Sequence, residues 1–105
     1  MSKEGGIPKT YKAFTGRFPA LARAWESIRE EESGGPFDEK QMRLIKLGIA
    51  VGGMREGSVH SAVRKALAAG ISREEVEQVV ALSASTIGLP SAVAIFSWVL
   101  DELDK

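Results

Sequence analysis

The stretch GGMREGSVH, Gly52 to His60, gathers an arginine, a glutamate, a serine and the chain's only histidine within a few residues. Glu56 and His60 stand four apart, so on a helix they lie on one face, a turn from each other. A carboxylate that orients an imidazole suits general acid–base work. The same pair is equally an ordinary helix pair worth about 0.2–0.5 kcal/mol, and the residues leave both readings open. Ser58 has no histidine on its own turn and face. It reads as a first-turn hydrogen-bonding serine rather than a nucleophile, unless a neighbouring subunit supplies a base. Arg55 sits beside the free N–H groups of a helix start, which suits an anion such as a carboxylate. Its alternative is a surface arginine whose stem covers apolar neighbours.

Other chemistries are excluded by composition. No cysteine is present among the 105 residues, which removes disulfides, thiolate metal sites and thiol catalysis together. With one histidine and no HxxxH-like spacing, no transition-metal site within one chain is expected, and no cofactor. The 14 basic and 14 acidic residues cancel without forming a long block, so neither nucleic acid nor an anionic membrane is an expected partner. The N-terminal MSKEGGIPK is polar and the apolar runs fall short of the roughly 18–20 residues a span requires. The expected location is the cytoplasm.

The elements that must hold these residues read as helices throughout. Residues 1–8, with Gly5, Gly6 and Pro8, read as a loose terminus before a single helical domain over 9–105. From Lys9, Tyr11, Phe14 and Phe18 recur at helical spacing until Pro19, which suits the first turn of a second helix. Leu21, Ala22, Trp25 and Ile28 mark that helix's expected buried stripe, and REEE before SGGP its end. The acidic run reads as a solvated face. Tyr11, Trp25 and Trp98 read as core or subunit-interface residues rather than a stacking box for a substrate.

In FDEKQMRLIKLGIAVGG, Asp38 and Gln41 predict a capping box, Phe37 and Met42 a hydrophobic staple, and Gly52 and Gly53 the helix end. This third helix is apolar nearly all round, which predicts a central position or a place in a subunit interface. A fourth helix is expected from about Arg55 to Ala69, stopping at Gly70. Ser72 and Glu75 then predict a second capping box, Gly88 a break, and Pro90 the opening of a last helix. No segment keeps a strand alternation. The fold class is all-α, a six-helix bundle.

Three segments in this order, FDEKQMRLIKLGIAVGG, EGSVHSAVRKALAAGISREEVEQVV and ASTIGLPSAVAIFSWV, resemble the carboxymuconolactone decarboxylase family, which includes the alkylhydroperoxidase D-like proteins. The resemblance covers roughly Phe37 to the C-terminus, with weaker support from RFPALARAW. It implies an all-α fold that assembles into trimers or hexamers, with active sites near subunit contacts. In the peroxidase branch two cysteines and a histidine open the fourth helix; the matching positions here are Arg55, Ser58 and Ala62, and the helper glutamate falls at Arg43. Every atom of the thiol peroxidase is therefore missing.

The decarboxylase branch needs no cysteine, because a lactone bearing a carboxylate can lose carbon dioxide once its enolate is stabilised and a proton delivered. It too keeps a histidine where Ala62 stands. At about 100° per residue, His60 points some 160° away from Ala62, beside Glu56, Val63 and Leu67. If the third helix packs as in the family, Arg43 and Arg55 combine with a helix N-terminus into an anion site. The expectation is a non-redox member that acts on or binds a small anionic metabolite, with Glu56 and His60 handling protons and Arg55, Ser58 and Arg43 binding substrate. The alternative is a noncatalytic oligomer that keeps the scaffold.

Overall fold

The computed structural model describes residues 9–105, so the loose terminus expected over residues 1–8 lies outside the described residues. Among those residues there are six α-helices and no strand: α1 Lys9–Arg17, α2 Pro19–Glu32, α3 Glu39–Gly53, α4 Glu56–Ala68, α5 Arg73–Ile87 and α6 Leu89–Leu103. No helix among them is long and apolar enough to cross a membrane. The chain divides into two compact units at the Pro36–Phe37 junction.

The first unit holds α1 and α2. Proline at the first position of α2 fixes a helical φ where no backbone donor is needed. The Phe14 and Phe18 rings meet at 5.1 Å between centroids, and the Arg17 guanidinium lies 5.3 Å from the Phe18 centroid. The expected buried stripe of α2 is not buried: Leu21, Trp25 and Ile28 are all exposed, Trp25 at 47%, and only Ala22 is half-buried. Tyr11 is exposed as well. Neither α1 nor α2 contains a buried residue, since two helices alone cannot enclose an apolar face.

The second unit is a four-helix bundle in which α4 and α5 each pack against both α3 and α6. Each helix contributes a seam spaced four, or three and four, apart: Leu47 and Val51; Val59, Val63 and Ala66; Val76 and Val80; Ile95 and Val99. Ile71, in the α4–α5 connection, completes this core. Such spacing keeps one stripe facing inward along a 3.6-residue helix. Trp98 packs partly buried against the same cluster. α3 stands at one corner of the bundle rather than at its centre: Leu47 and Val51 are buried, while Ile45 and Ile49 face out.

Both capping boxes form in full. Asp38 accepts from the Gln41 N–H at 2.8 Å and Gln41 returns a bond to the Asp38 N–H at 2.9 Å. Ser72 and Glu75 repeat the pattern at 3.1 and 2.8 Å. Gly70 and Gly88 carry the positive φ values, 87° and 95°, that end α4 and α5. α3 ends at Gly53, as expected, but neither Gly52 nor Gly53 takes the left-handed conformation. The helix runs through Gly52 and Gly53, and Met54 takes the left-handed position at φ 57°, its N–H bonded to the Ala50 and Val51 carbonyls. Only Met54 and Arg55 separate α3 from α4, so the reversal falls on the residue just before the next helix cap.

Candidate functional site

α4 begins directly after this turn, with Arg55 as its N-cap and Glu56 as its first residue. The Val59–Val63 seam turns that side of α4 toward the core, and His60, next to Val59, is brought to the core's edge against the last turn of α6. There α6 continues its own buried seam, Ala92, Ile95, Val99, with Glu102 at the next position three residues on. A carboxylate on a core stripe is rare unless it is paired. The Glu102 side chain is 3% exposed, and its Oε2 lies 2.5 Å from His60 Nδ1.

Around this contact the charges converge from both helices. His60 Nε2 is 3.2 Å from Glu56 Oε2 and 4.0 Å from Asp101 Oδ2. Arg64, one turn along α4, donates from Nη1 to Glu102 Oε2 at 3.3 Å, and Lys105 Nζ reaches Glu102 Oε1 at 3.1 Å. Both ring nitrogens of His60 therefore face carboxylate acceptors. That environment favours the imidazolium, with Nδ1–H donating to Glu102 and Nε2–H toward Glu56.

The His60 pKa is accordingly raised above the ordinary value of 6.5, chiefly by the hydrogen bond to Glu102 and further by Glu56, against an opposing desolvation. For Glu102, burial is the largest single influence and pushes its carboxyl up. The hydrogen bonds to His60 and Lys105, with the Lys105 and Arg64 charges, together hold it below the usual carboxylate value. The two shifts both favour the ion-paired form, anchored on the buried Glu102 carboxylate.

The residues singled out by sequence are only partly brought together. Glu56 and His60 meet as their spacing predicts. Arg55 and Ser58 are exposed, and among the described residues neither side chain makes a hydrogen bond or ion pair. The Arg43 guanidinium donates from Nε to Glu39 Oε2 at 2.9 Å within α3. Ala62 packs partly buried against the core cluster, on the opposite side of α4 from His60. Sequence reasoning missed Glu102, Asp101 and Arg64. The available signal was Glu102 itself, a charged residue three positions after Val99 on an apolar stripe.

A shallow groove of ≈ 220 Å³ runs between α5 and α6, lined by Val80, Ala81, Ala84, Ala92, Val93 and Phe96, with Glu77 its only ionisable wall. It lacks the converging polar groups that orient a reacting substrate.

No curated protein and no solved structure matches the chain. The sequence profile of the carboxymuconolactone decarboxylase family, by contrast, matches residues 19–101, from the first residue of α2 to Asp101 beside the His60 cluster. On that match, the chain belongs to the carboxymuconolactone decarboxylase family, as a member without a cysteine.

Proposed function

We propose that the protein acts on, or binds, a small anionic metabolite by proton-transfer chemistry. In this reading Glu56 and His60 are the proton-handling pair, and Arg55, Ser58 and Arg43 are the groups that receive the anion. The supporting observation is the His60 imidazole held from behind by buried Glu102, with Nε2 toward Glu56 and solvent. A buried carboxylate behind an imidazole fixes ring and tautomer, leaving the far nitrogen to give or take a proton. On a carboxylate-bearing lactone, departure of carbon dioxide leaves an enolate, and the Nε2 proton goes to its carbon. Arg55 at the uncapped start of α4 is the group best placed to meet the substrate anion. Arg43 is engaged with Glu39 in α3 and would have to leave that contact to take part. Thiol peroxidase chemistry has no atom to carry it in this chain, and methionine sulfur does not replace a thiolate.

The second reading is a noncatalytic oligomer on the same scaffold. It draws on Ala62, whose methyl group packs toward the core where relatives keep a histidine. A panel of lactone carboxylates, assayed with a chelator present, separates the two. The enzyme reading expects turnover that falls by about 100-fold or more in His60→Ala and Glu56→Ala. Turnover that survives in both variants removes their role, and a wild-type protein that binds the panel without turning it over leaves the scaffold reading.

A further inference from the structure

We propose that Glu56, His60 and Asp101 form a binding site for a divalent transition-metal cation such as zinc, with Glu102 fixing the imidazole from the opposite side. One oxygen from each carboxylate and His60 Nε2 lie within 4.8 Å of one another. A tetrahedral ion with bonds of about 2.0–2.2 Å needs its ligand atoms about 3.4 Å apart. The His60–Glu56 separation of 3.2 Å already meets this, and Asp101 at 4.0 Å closes the set with a small side-chain movement. Both carboxylates are free to make it, their side chains being 58% and 63% exposed.

Three further features fit a cation. The His60 Nδ1 contact with a buried carboxylate is the outer-shell partner that metal-bound histidines use to fix the ring and present Nε2. Asp101 lies in the last turn of α6, a turn without a basic residue, where the helix carbonyls add to the attraction for positive charge. Arg64 and Lys105 bond Glu102, not Glu56 or Asp101, so the local cations are engaged behind the ring. One nitrogen and two oxygen ligands favour zinc or its first-row neighbours over calcium or magnesium, which prefer all-oxygen sets. Three protein ligands also leave a position for water or an anion.

The sequence offered no such set because its third ligand, Asp101, is 41 residues from His60 and reaches it only through the packing of α6 on α4. The site goes beyond the proton-transfer reading and does not depend on it. A cation on Nε2 occupies the lone pair that proton transfer would use, so these are alternative uses of one atom.

The test is titration of the purified full chain with Zn²⁺ in competition with a chromophoric chelator, followed in parallel by imidazole ¹H–¹⁵N spectra. The chain holds a single histidine, so its ring signals belong to His60. The expected result is one ion per chain, a displaced Nε2 resonance, and a retained Nδ1–H. Asp101→Asn and Glu56→Gln, both at exposed positions, should each weaken binding by about tenfold or more, and Glu102→Gln by about 10–100-fold. Thermal melts of the metal-free variants check that the bundle is intact. Ring signals unmoved by Zn²⁺, or a Glu56→Gln/Asp101→Asn double variant that binds as tightly as wild type, overturns the site.

Discussion

At the scale of residues, the contact between His60 and Glu102 makes the protein's stability depend on pH in a defined direction. His60 has a raised folded pKa. Its contribution is therefore complete below the unfolded value of about 6.5 and is lost as pH rises through the folded value. Glu102 has a lowered folded pKa, so its contribution is present above the unfolded value and is lost as pH falls through the folded one. The groups facing the imidazole are Glu56 on α4 and Asp101 and Glu102 on α6, while Arg64 and Lys105 face Glu102. With a chelator present, thermal midpoints should fall as pH rises above about 6.5, and Glu102→Gln should flatten that slope. The same variant should cost about 1.5–3 kcal/mol near neutral pH, the range for hydrogen bonds to charged groups. An undiminished slope in Glu102→Gln would show that Glu102 does not hold the His60 proton. Glu56 and His60 were legible because they are one helical turn apart. Glu102 carried only the signal of its place three residues after Val99 on an apolar stripe; its partner His60 is 42 residues away, and only the packing of α6 against α4 brings the two together.

At the scale of elements, most helix boundaries were written locally. The Asp38–Gln41 and Ser72–Glu75 boxes and the stops at Gly70 and Gly88 depend on residues within four positions of one another, and the structure forms them all. At the end of α3 either glycine suits a left-handed position, yet the path into α4 places that conformation on Met54. A non-glycine residue there carries about 1–2 kcal/mol of backbone strain. Met54→Gly should therefore raise stability by about 1 kcal/mol, less whatever the glycine gains in unfolded-state freedom. Gly88→Ala should do the reverse. Its φ of 95° with ψ of 147° is open in practice only to glycine, and an added Cβ would meet nothing closer than Pro90 Cδ at 4.0 Å. The loss, about 1–3 kcal/mol, would thus be backbone strain rather than a clash. Chemical denaturation of both variants checks the pair, and a Gly88→Ala protein as stable as wild type would contradict the assigned turn.

At the scale of the whole molecule, the apolar pattern exceeds what one copy buries. The sequence showed α3 to be too apolar for a surface helix, and the bundle leaves Ile49 68% exposed and Ile45 43% exposed. On α5 and α6, Leu82, Leu89 and Val93 are each at least 60% exposed. Completing the burial of these side chains would be worth about 1–2 kcal/mol apiece, and contiguous apolar patches of such residues mark interaction surfaces. The equal numbers of acidic and basic residues leave no net charge to keep copies apart. We therefore propose self-association through these faces, with the trimer or hexamer that the family resemblance implied as the expected product. Light scattering on the wild-type chain should give a mass several times that of one copy. Ile49→Glu and Leu82→Glu, which touch no buried seam, should reduce that mass while leaving helical content unchanged. A wild-type protein that stays monomeric at tens of micromolar would leave the exposed leucines and isoleucines to another partner. An oligomer indifferent to both substitutions would place its interface elsewhere on the bundle.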